Sequence, residues 1–183
     1  MSVMLDYLGA AVVGAMLMLS MFGFQATTSE EATSQNLTAA LQEDITATTE
    51  IIQFDFKRIG YRVQDATKVA YADTSRIVFT GDFDDNGTID SIGYFLGKPV
   101  IFRGHNPNVK PLYRFENAAK ARVIYPGATR FRLWYYDGNG LPTTIKSRIR
   151  SIKVVFSVEN SIPVNGIYSG ACWDRTFKPK NLR

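Results

Sequence analysis

The chain has 183 residues, 45% of them hydrophobic, which is enough to bury one ordinary core without disulfide bonds. It contains one cysteine and one histidine, which excludes an internal disulfide and the usual His/Cys zinc site and disfavours a Ser-His or Cys-His nucleophile pair. The net charge of +4 is uneven, because residues 1–56 carry seven acids and no Lys or Arg, whereas residues 57–183 carry 21 basic and 10 acidic residues. We therefore expect the two parts to have different tasks.

An uncharged apolar segment follows Asp6 and extends from Tyr7 to Phe24. As a helix it would be about 27 Å long, close to the ~30 Å hydrocarbon core of a bilayer, so a transmembrane helix in residues 1–25 is the leading interpretation. A secretory signal peptide is the main alternative, but it requires a basic N-terminal region, and this N-terminus has an acid and no base. A buried helix of a soluble core is the third alternative.

A second helical pattern occupies residues 26–64. Apolar residues and one threonine recur every three or four positions, which places them on one face of an α-helix. These residues are Leu37, Leu41, Ile45, Thr48, Ile52, Phe56, Ile59 and Val63. Gly60 and the basic residues around it are typical of a helix C-terminus. Because no proline precedes Pro99, we expect this amphipathic helix to continue from the apolar segment.

Beyond residue 64, short runs of β-branched and aromatic residues alternate with Gly, Pro, Asn and Asp clusters, which predicts an antiparallel sheet. The predicted strands are Lys68–Tyr71, Arg76–Thr80, Ile89–Leu96, Val100–Arg103, Leu112–Phe115, Arg122–Tyr125, Thr129–Tyr136 and Ile149–Val158. Segment Ser161–Gly170 and the surroundings of His105 and Cys172-Trp173 are predicted to be loops. The predicted fold is α+β, with a long N-terminal helix packed on an antiparallel β head of residues 65–183.

The alternation of apolar and basic residues is clearest in the predicted strand Thr129–Tyr136. It predicts that this strand has one aliphatic-aromatic face and one basic-aromatic face. The basic residues could contact nucleic acid, but they are scattered over strands and form no recognition motif, so nucleic acid is disfavoured as a partner. An acidic protein neighbour is the better candidate, and residues 30–56 of another copy of this chain are acidic. The sequence contains no phosphate loop, no paired carboxylates and no nucleotide-binding fingerprint. We therefore expect no catalysis.

The most specific local pattern is the loop Asp82–Asp90. Asp82, Asp84 and Asn86 occupy positions 1, 3 and 5 of an EF-hand-like loop, with Gly87 at the tight turn and Asp90 at position 9, so their oxygens could bind calcium. Position 12, which should be Glu, is glycine, and strands rather than helices flank the loop. A calcium site completed by other oxygens is therefore one interpretation. A plain Asx-rich turn between strands is the other.

Segments along most of the chain are similar to landmarks of one family. Ser2–Ala15 aligns without gaps on a mature N-terminus with a carboxylate at the fifth position, here Asp6, before an apolar helix. The other matching segments are Phe54–Tyr61, Asp82–Asp90 with Ile92 and Tyr94, Leu112–Arg114, Trp134–Gly140, Arg148–Ile152 and Pro179–Leu182. With these segments the chain resembles type IV pilin-like proteins, closest to J-type minor pseudopilins of type II secretion and W-type minor pilins of type IV pili.

The resemblance implies a structural subunit of a pilus-like or secretion filament. Its apolar helix would lie in the bacterial inner membrane before assembly, with the head in the periplasm, and in an extracellular filament core afterwards. Partners would be other pilin or pseudopilin subunits and the assembly platform. Ser2 would begin the mature chain, through loss of a leader or of Met1 alone, and Asp6 would pair with the α-amino group of a neighbouring subunit. The alternative is a single-pass cell-surface module whose β-rich head binds a glycan or another ligand.

Overall fold

The computed structural model describes residues 2–65, 68–99, 106–163 and 166–182, and the side chains of Ser2 and Leu5 lie outside the described set. One long helix precedes seven strands and two short 3₁₀ helices. The elements are α1 (Ser2–Lys57), β1 (Val69–Ala72), β2 (Arg76–Gly81), β3 (Asp90–Leu96), β4 (Lys110–Glu116), β5 (Arg122–Tyr136), the 3₁₀ turn Lys146–Arg148, β6 (Ser151–Glu159), β7 (Gly170–Phe177) and the 3₁₀ turn Lys180–Leu182. This is the predicted α+β class.

The chain divides into two compact units, Met1–Ala39 and Ala40–Arg183. In the first unit, α1 exposes large apolar side chains on every side. They are Val3, Met4, Tyr7, Leu8, Val12, Val13, Met16, Leu17, Met18, Leu19, Met21, Phe22 and Phe24. α1 is long and apolar enough in this region to cross a membrane.

In the second unit, residues 40–57 of α1 bury one face against the sheet. Leu41, Ile45, Ile52 and Phe56 are buried on this face, as the spacing predicts. The predicted continuation of the helix to Val63 is wrong, because α1 ends at Lys57 and the chain turns through residues 58–62.

Backbone conformation explains this earlier helix end. Gly60 has φ +74° and Arg62 has φ +58°, and both values lie in the left-handed region that terminates helices. Ile59 lies beyond the end of the helix and is fully buried. Its apolar side chain therefore continues the sequence repeat because it packs in the core, although the helix has already ended.

The seven strands form one antiparallel sheet in the order β1-β2-β3-β4-β5-β6-β7. Two predicted strands, Arg122–Tyr125 and Thr129–Tyr136, are joined into the 15-residue β5. Pro126, which has no N–H group, lies between the two predicted strands. The strand continues through Pro126 because this residue is exposed at the point where the β4–β5 register shifts, and the β5–β6 pairing begins only at Ala128. Beyond the joint, Phe131 and Leu133 are buried and Arg130 and Arg132 are exposed, so the predicted alternation is confirmed.

The core lies between the buried face of α1 and one face of the sheet. Aromatic rings fill its centre, where the Phe56 ring lies 5.2 Å from Phe79, 5.8 Å from Tyr94 and 5.1 Å from Phe177, measured between ring centroids. These separations are typical of favourable aromatic pairs. The end of α1 is thereby fixed to both the second and the last strand.

Strand β7 is absent from the sequence prediction, and the expectation that Cys172 and Trp173 lie in a loop is wrong. Cys172 pairs with Ser157 and Trp173 with Phe156 in the β6–β7 ladder. β7 is an edge strand whose residues are mostly exposed, so it lacks the apolar alternation that identifies a strand in sequence. The predicted strand Val100–Arg103 and His105 lie outside the described residues.

Candidate functional site

The acidic loop connects β2 to β3, and pairing of Gly81 with Asp90 brings its two ends together. Asp82 and Asp90 are buried, at 0% and 7% exposure, whereas Asp84 is exposed. One carboxylate oxygen from each of these three residues lies within 4.8 Å of the other two. Three of the four predicted ligands therefore converge.

The fourth predicted ligand, Asn86, has its side chain engaged within the loop. Its Oδ1 accepts hydrogen bonds from the backbone N–H of Thr88 (2.7 Å) and from the Thr88 hydroxyl. Its Nδ2 donates to Asp84 Oδ2 (2.7 Å), and its backbone N–H donates to Asp84 Oδ1 (3.2 Å). Asn86 thus shapes the turn that presents Asp84.

Two arginines from the segment after α1 contact this loop. Arg62 Nη1 donates to Asp82 Oδ2 (2.6 Å) and lies 3.8 Å from Asp85, while Arg58 Nη1 donates to Asp85 Oδ2 (3.1 Å) and to the carbonyl of Phe83 (2.6 Å). Burial raises the pKa of Asp82, but the hydrogen bonds from Arg62 and from the backbone N–H of Gly87 outweigh burial, so this pKa lies below its usual value. Asp82 is accordingly held in its charged form.

Two carboxylate oxygens of the loop are buried without a hydrogen-bond partner among the described residues. They are Asp82 Oδ1 and Asp90 Oδ2. The other oxygen of Asp90 accepts a hydrogen bond from Asn117 Nδ2 (2.9 Å). A buried charged oxygen without a partner is costly, so each of these two atoms requires a compensating positive group or water.

A second charged cluster, not predicted from the sequence, joins α1 to the sheet. Asp55 is 1% exposed and accepts hydrogen bonds from Arg114 Nε (2.7 Å) and Nη2 (3.3 Å) and from the Tyr94 hydroxyl. Arg114 Nη1 also donates to Glu116 Oε2 (3.0 Å). Asp55 lies three residues after Ile52 and four before Ile59, so the helical repeat places its carboxylate on the apolar face. An acid on that face is the sequence signal from which a buried charged cluster could have been predicted.

The charges in this second cluster are compensated. Burial and the neighbouring Asp55 carboxylate raise the pKa of Tyr94 well above its usual value, so its hydroxyl stays protonated and donates. Burial lowers the pKa of Arg114, but the hydrogen bonds and charge of Asp55 outweigh it and raise this pKa. With its oxygens engaged, Asp55 has the geometry of a structural link between α1, β3 and β4.

The residues predicted to act in assembly lie at the start of α1. Asp6 is exposed on the helix, immediately before the apolar segment. Ser2 is the first helical residue, and nothing further is described of its side chain.

The long apolar N-terminal helix and the antiparallel β head are together compatible with a pilin-like fold. Comparison of the chain with known protein families, with curated proteins and with solved structures finds no match.

Proposed function

We propose that this protein is a pilin-like structural subunit of a type IV pilus or type II secretion filament. Before assembly, residues 1–25 anchor it in the bacterial inner membrane, with the head on the periplasmic side. In the assembled filament, the same helix packs against the equivalent helices of neighbouring subunits. The platform that assembles such filaments is the further partner.

The observation that carries this proposal is the exposure of apolar side chains all around the first part of α1. Met4, Leu8, Leu17 and Phe24 are each at least two-thirds exposed, and they do not share one face of the helix. A helix that is apolar on every side is stable only when lipid or protein surrounds it. A membrane and a bundle of identical helices both meet this requirement, and a filament subunit needs both in turn.

Asp6 gives the proposal its most specific element. A carboxylate next to an apolar helix is costly to bury unless it is paired. In a filament core the α-amino group of a neighbouring subunit, which begins at Ser2 after processing, is a cation of suitable charge. We therefore assign Asp6 to assembly and not to stability of the head.

The first experiment compares filament incorporation of three variants in a strain that lacks the native gene. Asp6→Ala should lower the amount of this subunit in sheared filaments at least tenfold, whereas Asp6→Glu, which keeps the carboxylate, should restore it. Asp44→Ala is the control, because Asp44 is also an exposed acid of α1 but lies beyond the apolar segment. Head melting temperatures should agree among all variants. Normal incorporation of Asp6→Ala would contradict the assigned role.

The second experiment separates a filament subunit from a permanently anchored binding module. Cys172 is exposed and is the only cysteine of the sequence, so a Cys172→Ser chain provides a background for a new cysteine at Val12. A filament subunit should form crosslinked dimers through position 12 after mild oxidation of cells. Monomers alone, together with normal surface exposure of the head, would favour the binding module.

A further inference from the structure

The loop between β2 and β3 places three carboxylates together although two of them are buried. Each buried member, Asp82 and Asp90, has one oxygen that is without a hydrogen-bond partner among the described residues. Oxygens from both residues and from Asp84 lie within 4.8 Å of one another. An ordinary Asx turn explains the bonds around Asn86, but it does not explain two buried, unpaired carboxylate oxygens.

We propose that Asp82, Asp84 and Asp90 bind one calcium ion. Carboxylate oxygens are the ligands that hard cations prefer, and calcium–oxygen distances of about 2.3–2.6 Å make the coordination shell roughly 5 Å across. The separation of the three carboxylates fits within that shell. Water and backbone oxygens of the loop complete the coordination, which calcium accepts because its geometry is flexible.

The balance of charge favours a divalent ion. The clustered Asp82, Asp84 and Asp90 and the adjacent Asp85 together carry four negative charges, and the two arginines that form ion pairs with Asp82 and Asp85, Arg58 and Arg62, carry two positive charges, which leaves −2 for this group. Arg62 donates to Oδ2 of Asp82, and the unpaired atom is Oδ1, so the arginine and a calcium ion can use different oxygens of the same carboxylate. The ion therefore adds to the arginine contacts and does not compete with them.

The position of the loop determines what calcium binding does. Asp82 begins the loop at the end of β2 and is bonded to Arg62 in the turn after α1, while Asp90 begins β3. An ion that bridges Asp82, Asp84 and Asp90 therefore fixes the loop, the β2–β3 hairpin and the helix end as one unit. Because the unfolded chain does not hold these three groups together, calcium stabilises the folded head. Calcium binding to the head does not require filament assembly.

The test uses the full chain in detergent micelles, first depleted of calcium with a chelator and then titrated with calcium chloride. The readout is the melting temperature from tryptophan fluorescence, since Trp134 and Trp173 both lie in strands of the head. We expect a rise of about 6 °C at a calcium concentration ten times Kd, a further rise with the logarithm of concentration above it, and binding of one ion per chain by titration calorimetry. An unchanged melting temperature would overturn the proposal.

Asp84→Asn is the decisive variant because Asp84 is exposed and asparagine can keep the hydrogen bond to the backbone of residue 86. Without calcium it should melt close to the wild-type temperature, because reduced repulsion among the carboxylates offsets the loss of the hydrogen bond from Asn86 Nδ2, and calcium should raise its melting temperature by less than a third of the wild-type shift. Asp65→Asn removes an exposed carboxylate outside the loop and should keep the full response. Equal responses of wild type and Asp84→Asn would overturn the assignment, as would an equal shift with magnesium chloride.

Discussion

Replacing Asp55 by asparagine tests whether the buried carboxylate holds α1 on the sheet. Asp55 accepts two hydrogen bonds from Arg114 and one from Tyr94 at 1% exposure. Breaking a buried pair by removing one partner costs about 3–5 kcal/mol. Arg114 keeps its contact with Glu116 and is 22% exposed, so the lower end, about 3 kcal/mol, applies. For a unit of this size the melting temperature should fall by about 12 °C.

The same guanidinium group provides the matched control. Glu116 Oε2 accepts a hydrogen bond from Arg114 Nη1 (3.0 Å), but the Glu116 side chain is 44% exposed. Exposed ion pairs contribute about 1 kcal/mol or less to the free energy of unfolding. Glu116→Gln and Asp55→Asn make the same chemical change on two carboxylates that share one arginine. Urea unfolding of the full chain in detergent, followed by tryptophan fluorescence, measures both. If Asp55→Asn loses no more stability than Glu116→Gln, the structural role of this pair is refuted.

Two further predictions concern the segment after α1. A Cβ atom on Gly81 would lie 2.7 Å from the carbonyl oxygen of Arg58, so Gly81→Ala should lower the unfolding free energy by about 1–3 kcal/mol. At Gly138 the nearest atom to an added Cβ is 3.9 Å away, so the control Gly138→Ala should change the unfolding free energy by no more than about 0.5 kcal/mol. Equal losses in urea unfolding would contradict the close approach at Gly81. Because Arg62 lowers the pKa of Asp82 despite its burial, the stabilisation from this carboxylate is complete above about pH 4 and is lost as pH falls through the folded pKa. In calcium-free buffer, the unfolding free energy of Arg62→Gln should therefore fall less than that of wild type between about pH 6 and about pH 3, and an identical acid dependence would argue against the contact.

Periodicity in the sequence predicts most of the elements whose side chains face the core. The repeat from Leu41 to Ile59 marks the buried side of the helix and the turn after it, and alternation in Thr129–Tyr136 marks the buried side of β5. The sequence does not locate the end of α1, because Ile59 continues the repeat after the helix has ended. It does not indicate β7 either, because this edge strand buries few side chains and so has little apolar pattern.

The two charged clusters differ in how far the sequence reveals them. Asp82, Asp84 and Asp90 are close in the chain and follow a known ligand spacing, so their convergence could be expected. Asp55, Tyr94 and Arg114 come from three elements, and only the sheet register and the packing of α1 bring them together. Their meeting depends on tertiary structure, although the acid within an apolar repeat indicates that a partner is needed.

The strand order of the sheet has a consequence for how the head forms during synthesis. Each strand pairs with the one made just before it, so successive hairpins can close with little loop entropy as the chain emerges. The core does not follow this local order, because the Phe56 ring of the first element contacts Phe177 of the last strand. The helix face around Phe56 thus stays partly uncovered until β7 has been synthesised and has paired with β6. Completion of the core is thereby coupled to the last strand of the sheet, and a chain truncated before Gly170 retains six strands above an open core.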